Sequence, residues 1–125
     1  MLFHGSNTLN AILNKHRSVN AKGRREKESL VYATDDSNYA IFLAILNLKD
    51  GGAGVVAEKG RRTRLTVDLD FVNGGSKLQS GYIHIIPRSN FTPTSNREYV
   101  SCEEIEVSFA IQVEPTDLTV PIVIA

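Results

Sequence analysis

The sequence has few of the features that mark several large classes of protein. Its one cysteine, Cys102, excludes an intrachain disulfide framework and any zinc site with two or more thiolate ligands. Fourteen lysine and arginine residues balance fourteen aspartate and glutamate residues, so the net charge favours neither a general nucleic-acid binder nor a membrane-surface protein. The most apolar run, 39–46, is less than half of the roughly 20 residues that span a bilayer. No signal-peptide pattern opens the chain. We therefore expect a compact cytoplasmic protein with no membrane segment.

The composition is that of a folded domain. Hydrophobic residues make up 42% of the 125 residues, which predicts one domain over residues 1–125. A domain of this size buries roughly two-thirds of its unfolded surface, so it folds without disulfides or metal. The histidines at positions 4, 16 and 84 lack metal-ligand spacing, and no metal site is expected.

Two helices are predicted early in the chain. The first follows a short strand at 2–4 and is capped by Ser6 or Asn7, with an apolar face formed by Leu9, Ile12 and Leu13. Residues 15–29 lack an apolar period and read as an exposed loop.

The second helix follows a strand at 30–33 and runs roughly from Ser37 to Leu48, closed by Gly51-Gly52. One of residues 34–36 supplies its cap. The helix has little polar face, so we expect it to be buried in the middle of the fold.

The rest of the chain has strand patterns. Segments 55–58 and 64–70 predict a hairpin, 81–87 a further strand, and 118–124 an edge strand that contains Pro121. Apolar residues alternate with polar ones throughout 105–113, which predicts a single strand there. Early helices followed by antiparallel strands give an α+β class.

Three segments place polar or aromatic groups where a fold alone does not require them. His4 stands beside Gly5 at a strand end, where a ligand can approach the backbone. Tyr32 ends a strand, and Tyr39 lies seven positions later in the following helix, so two rings can converge on one cleft. Glu98 opens a strand, where an unpaired buried carboxylate is costly. Each feature also has a structural interpretation: a strand-end histidine, tyrosines that pack a strand–helix junction, and a solvated acid.

Taken in order, the three segments resemble signatures of the ADP-ribosyltransferase superfamily, on the side of diphtheria toxin and the poly(ADP-ribose) polymerases. The run 3–6 (Phe-His-Gly-Ser) is similar to that family's histidine strand, and 32–40 to its tyrosine strand and helix. The run 98–100 (Glu-Tyr-Val) resembles the catalytic glutamate strand. The resemblance covers the whole chain and implies split antiparallel β-sheets with two early helices around an NAD cleft.

The resemblance also implies a role for each matching residue. The Gly5 backbone would hold the nicotinamide carboxamide of NAD, and His4 would contact the adjoining ribose. Tyr32 and Tyr39 would sandwich the nicotinamide ring. Glu98 would bind the ribose 2′-OH and stabilise the oxocarbenium-like state as nicotinamide leaves. Ser37 would hydrogen-bond the carboxamide, and Ser6 belongs to the cofactor-binding set as part of the first motif.

The implied function is NAD-dependent mono-ADP-ribosyl transfer to a macromolecular acceptor, either a protein or a nucleic acid. Asn96 stands where arginine-modifying members have Glu or Gln, so arginine is not the expected acceptor. Two other interpretations stay open: a non-catalytic module that binds NAD, ADP-ribose or a partner chain, and an unrelated α+β protein.

Other features have plainer interpretations. Basic residues cluster in 15–27 and 59–64, where they form either an acceptor or phosphate surface or two solvated loops. His84 alternates with Ile83 and Ile85 in a strand and is predicted to be structural.

Overall fold

The structure, a computed structural model, describes residues 1–14, 30–94 and 97–125. Within these ranges the helices are α1 (Ser37–Ile45) and α2 (Leu69–Asn73), with a 3₁₀ turn at Pro115–Asp117. The strands, in chain order, are β1 (Leu2–Ser6), β2 (Ile12–Leu13), β3 (Val31–Thr34), β4 (Leu46–Asn47), β5 (Ala53–Val56), β6 (Arg64–Val67), β7 (Lys77–Leu78), β8 (Gly81–Ile86), β9 (Thr92–Pro93), β10 (Glu98–Ser101), β11 (Ile105–Glu106), β12 (Phe109–Val113) and β13 (Ile122–Ile124). Mostly antiparallel sheets with two helices confirm the α+β class.

The largest sheet in the described ranges has six antiparallel strands in the order β12-β8-β1-β3-β10-β9. Its centre is not uniformly paired. β1 pairs with β8 along its whole length, from Leu2 opposite Ile86 to Ser6 opposite Tyr82. With β3 it has one register pair, Phe3 opposite Thr34. The sheet therefore opens between β1 and β3 beyond that pair.

Smaller sheets cover the rest of the chain. One has the order β13-β6-β5, with β13 parallel and β5 antiparallel to β6. The pairs β11-β2 and β4-β7 complete the pairing of the described strands.

Helix α1 lies between two sheets. The side chain of Asp36 accepts the backbone N–H groups of the first turn and so caps the helix. On one side Ala44 packs with Ile83 of the six-stranded sheet, and on the other Phe42 packs with Leu65 of the three-stranded sheet. This confirms the buried helix that its nearly continuous apolar sequence predicts.

Two glycines allow α1 to approach the six-stranded sheet closely. A Cβ atom at Gly5 would lie 2.0 Å from the Ala40 carbonyl oxygen, and one at Gly81 would lie 1.9 Å from that of Ala44. These distances are far inside van der Waals contact. Gly5 is therefore required by helix packing, independently of any ligand.

The predicted first helix is wrong. Residues 7–11 form bends and irregular backbone, and Ile12 and Leu13 form β2, which pairs with β11. Leu9 and Ile12 are 63% and 51% exposed, so their helical spacing does not mark a buried face. The side chain of Asn7 donates to the carbonyls of Ala44 (2.7 Å) and Leu46 (3.0 Å) at the end of α1. Asn7 thus satisfies the C-terminus of the later helix instead of starting one of its own.

Two boundaries also differ from prediction. Helix α1 ends at Ile45 because the next two residues pair with β7, whereas Leu48 and the glycines beyond it were expected to end it. Strand β6 stops at Val67, because Asp68 accepts the N–H of Phe71 (2.8 Å) and caps α2. The predicted hairpin is confirmed as β5 and β6, although β5 covers Ala53–Val56 and not 55–58, and the predicted strand at 81–87 is confirmed as β8.

The alternating segment 105–113 is two strands and not one. The N–H of Val107 donates to the Ala11 carbonyl and that of Ser108 to the Ile85 carbonyl, which separates β11 from β12. Phe109 and Ile111 are 54% and 50% exposed because β12 is an edge strand of the described sheet. In the three-stranded sheet, β13 lies at an edge as predicted, but it covers only Ile122–Ile124, so residues 118–121 of the predicted strand, Pro121 included, are not part of it. The predicted loop 15–29 lies outside the described residues.

Candidate active site

A cleft of about 390 Å³ lies where β1 and β3 diverge. His4 and Gly5 reach it from β1, Tyr32 from β3, Tyr39 from α1 and Glu98 from β10. Thus five of the seven residues named from the sequence line one cavity, although they are spread over 95 positions of the chain.

The opening between β1 and β3 is bridged by a side chain. The Nδ1 atom of His4 donates to the backbone carbonyl of Tyr32 at 2.7 Å. This bond takes the place of a backbone ladder contact beyond the Phe3–Thr34 pair. It fixes the His4 ring at the mouth of the opening and assigns the Nδ1 proton to the bond.

His84 supports the same region from the neighbouring strand. It lies opposite His4 in register and is fully buried. Its Nδ1 donates to the His4 carbonyl at 3.1 Å, and its Nε2 accepts the N–H of Asn10 at 2.9 Å. Both ring nitrogens are therefore engaged with the backbone, which confirms the structural role predicted for His84.

Glu98 and Tyr39 are hydrogen-bonded inside the cleft. The Tyr39 hydroxyl donates to Glu98 Oε2 at 3.3 Å, which is long for this type of bond. Burial, the charge of Glu98 and the hydrogen bond to Glu98 together raise the pKa of Tyr39 to about 12, with burial the largest cause. Tyr39 is therefore a neutral donor at physiological pH, aimed at the carboxylate.

The register of β10 places Glu98 on the cleft side of the sheet. Glu98 lies opposite Thr34, and Val100 lies opposite Tyr32. Directly opposite residues of an antiparallel pair share a face, so Tyr32, Thr34 and Glu98 lie on the same face. The aromatic ring and the carboxylate therefore face a common space.

Asp36 is a buried polar residue next to the cleft whose role the sequence analysis left undecided. Besides capping α1, it accepts a hydrogen bond from the Thr63 hydroxyl and lies 3.8 Å from the guanidinium of Arg97. Asp36 was one of three candidate caps in the sequence. Its contacts with Thr63 and Arg97 join distant segments, so no local pattern could have predicted them.

Two predicted cofactor-binding residues do not line the cleft. Ser6 lines a neighbouring depression of about 310 Å³ together with His4 and Asn10. Ser37 is exposed at the first position of α1. Asn96 lies outside the described residues.

The basic segment 59–64 lies away from the cleft lining. Lys59, Arg61, Arg62 and Arg64 are exposed, and Arg61 pairs with Glu58 at 3.5 Å. The basic residues in 15–27 fall outside the described residues.

Within residues 1–14, 30–94 and 97–125, no group of three histidine, cysteine, aspartate or glutamate side chains is placed to hold a metal ion. None of the described helices is long and apolar enough to cross a membrane.

Comparisons with protein-family models, with curated proteins and with solved structures found no match for the chain.

Proposed function

We propose that the cleft binds NAD and that the chain transfers ADP-ribose from NAD to a macromolecular acceptor, with release of nicotinamide. The observation that carries this proposal is the convergence of His4, Tyr32 and Glu98, from three strands, on one cleft. A histidine, a tyrosine and a glutamate in this chain order are the trio on which the resemblance to ADP-ribosyltransferases rests. The separation of β1 from β3 at the cleft supports the finer expectation of a split-sheet fold of that type.

The walls of the cleft suit a nicotinamide ring. Tyr32 and Tyr39 present aromatic surface, and Leu43 adds apolar surface from the next turn of α1. In NAD the nicotinamide ring carries a positive charge, which an aromatic face attracts. A volume of about 390 Å³ is near the lower end for small-molecule pockets and suits the nicotinamide with its ribose.

Glu98 would supply the chemical step. The bond between the ribose C1′ and the nicotinamide nitrogen breaks, and nicotinamide leaves with the electron pair. Positive charge then develops on the ribose, and a carboxylate close to it lowers the barrier by several kcal/mol in a site that excludes water. The acceptor oxygen or nitrogen attacks C1′ and loses its proton, which completes the transfer. When the acceptor is water, the product is free ADP-ribose.

His4 and Tyr39 would act by positioning. His4 is fixed by the Tyr32 carbonyl and would contact the ribose. The Tyr39 hydroxyl holds one Glu98 oxygen, which leaves the other oxygen for the ribose 2′-OH.

The experiment that tests the proposal is nicotinamide release from NAD by the wild-type chain and by Glu98→Gln. Glutamine keeps the size of the side chain and can still accept from Tyr39, but it lacks the charge. We expect release by the wild type and a loss of about 100-fold or more in the variant, since several kcal/mol of transition-state stabilisation disappear.

A matched control is Glu104→Gln, which alters an exposed acid outside the cleft lining. It should release nicotinamide at the wild-type rate. Full activity in Glu98→Gln would overturn the proposal. NAD binding without any release by the wild type would favour the non-catalytic binding module instead.

A further inference from the structure

We infer that Arg97 is a positioning residue for Glu98, held in place by the acidic pair Asp35 and Asp36. This inference rests on the proposed function for its kinetic consequences. Arg97 does not line the cleft, so it would act on the reaction through its neighbour and not through contact with NAD.

The backbone of Arg97 turns the chain into β10 directly before Glu98. Its φ angle is 59°, in the left-handed region that residues with a side chain seldom adopt. Its carbonyl accepts a hydrogen bond from the buried hydroxyl of Thr34 at 2.8 Å. That hydroxyl also accepts the N–H of Asp36 at 3.1 Å. The turn before Glu98 is thereby attached to the end of β3.

The guanidinium of Arg97 attaches the turn a second time. Its Nε donates to Asp35 Oδ1 at 2.7 Å, and one terminal nitrogen lies 3.8 Å from Asp36 Oδ2. Asp35 is also held by the Tyr99 hydroxyl at 3.1 Å, from the strand that Glu98 opens. A planar guanidinium holds a carboxylate with defined direction as well as charge.

Asp36 also connects Arg97 to Tyr39, the hydrogen-bond partner of Glu98. Asp36 accepts the N–H of Tyr39 at 3.3 Å and so fixes the first turn of α1. Tyr39 in turn donates to Glu98. Arg97 therefore connects the start of α1 to the start of β10, because its side chain binds Asp35 and Asp36 and its backbone continues directly into Glu98. The contacts of Arg97 with Asp35 and Asp36 thus fix the position of Glu98, the side chain that would contact the ribose.

Substitutions at position 97 distinguish the contacts of the Arg97 guanidinium with Asp35 and Asp36 from the backbone turn that Thr34 holds. Arg97→Asn removes the guanidinium but keeps a residue that adopts positive φ readily, so the turn is preserved. Arg97→Lys keeps the charge and loses the planar fork. Arg61→Asn serves as the control, since it removes an exposed ion pair with Glu58 on another turn.

We expect Arg97→Asn to lower kcat for nicotinamide release by about 10- to 100-fold, the loss typical of a small misplacement of a reacting group. The dissociation constant of NAD should stay close to wild type, while the Tm should fall because Asp35 and the buried Asp36 lose their ion-pair partner; kcat is therefore measured at a temperature at which both proteins are folded. Arg97→Lys should recover part of the rate, and Arg61→Asn should be unchanged. A wild-type kcat in Arg97→Asn would overturn the inference.

Two readouts distinguish positioning from general stabilisation. In a Glu98→Gln background, Arg97→Asn should have no further effect on the residual rate, because it acts through the carboxylate. Independent, multiplicative losses would refute the inference.

The second readout needs no NAD. In protein labelled with ¹³C at the tyrosine Cζ atoms, the Tyr39 signal should shift in Arg97→Asn as its bond to Glu98 loosens, and stay fixed in Arg61→Asn. If the wild type releases no nicotinamide, the proposed function fails, and the Tyr39 signal still decides whether Arg97 positions Glu98. An unchanged Tyr39 signal in Arg97→Asn would contradict the inference.

Discussion

Replacing Gly5 by alanine tests the close approach of α1 to the sheet. The new Cβ atom would lie 2.0 Å from the Ala40 carbonyl oxygen and 2.8 Å from the Ala44 backbone nitrogen. Both are backbone atoms of a buried helix, so no flexible side chain can move aside. To restore even a 3.0 Å contact, the helix and strand must separate by about 1 Å.

That separation is costly because α1 is packed on two sides. A gap of 0.5–1 Å removes roughly a quarter to a half of the dispersion energy of each contact that it opens. Overpacking of this kind typically costs about 1–3 kcal/mol. We expect a loss near the upper end, about 3 kcal/mol, from Gly5→Ala. Against a total stability of about 5–15 kcal/mol, this is a large effect for one methyl group.

The assay is urea unfolding followed by circular dichroism, with Gly52→Ala as the matched control. A Cβ at Gly52 would meet only one atom within 4 Å, a carboxylate oxygen of Asp68 at 3.4 Å. Its free energy of unfolding should stay within about 0.5 kcal/mol of wild type or rise slightly, since alanine restricts the unfolded chain. A Gly5→Ala variant within about 0.5 kcal/mol of wild type would refute the packing described for α1.

Three further predictions concern stability. Asp36→Ala should lower the free energy of unfolding by about 2–4 kcal/mol, because it removes the cap of α1 and leaves the buried Thr63 hydroxyl without its acceptor; thermal and urea unfolding check this. The Tyr39 phenol loses its proton near pH 10.0 in the unfolded state and near pH 12 in the folded state. The neutral Tyr39 phenol therefore stabilises the folded state fully below pH 10, and this stabilisation is lost as the pH rises towards 12. Tyr39→Phe should therefore show a shallower loss of stability over this window than wild type, and equal slopes would contradict the pKa assignment. Ile83→Ala should cost about 2–5 kcal/mol and Ile111→Ala less than about 1 kcal/mol, although the two residues are register partners, because only Ile83 is buried; similar losses would contradict the edge position of β12.

Local signals in the sequence predicted the elements that are stabilised locally. Helix α1 combines a capping residue with a nearly unbroken apolar run, and strands β6 and β8 have turn residues at their ends. These features act within a few residues of each other, so one segment suffices to reveal them.

The helix predicted over residues 7–13 is wrong because contacts with distant residues determine the structure of this segment. Leu9, Ile12 and Leu13 have helical spacing, yet Asn7 is bound to the end of α1 and Leu13 is paired with Ile105. Both partners are far away in the sequence. Tertiary hydrogen bonds thus decided the structure of a segment whose own preference was weak.

In the candidate site, the sequence could indicate the residue types, but it could not indicate the tertiary contacts that hold them. The residue types of His4, Tyr32, Tyr39 and Glu98 could be singled out because they form motifs that resemble a family. The bonds that hold Glu98, through Arg97 and the acidic pair, depend on the register between β3 and β10. The need for glycine at position 5 likewise depends on the close approach of α1 to the sheet, which no local pattern indicates.

The central claim is that the cleft binds NAD at the surface formed by Tyr32 and Tyr39. The most direct measurement is calorimetric titration of NAD into the wild-type protein, Tyr32→Ala and Tyr82→Ala. Tyr82 is a partly buried tyrosine on β8 that does not line the cleft, so its variant controls for loss of a tyrosine. The account predicts binding by the wild type and by Tyr82→Ala, and binding weakened by about tenfold or more in Tyr32→Ala, the loss of roughly one aromatic contact with a cation. No binding by the wild type at millimolar NAD, or equal binding by all three proteins, would contradict it.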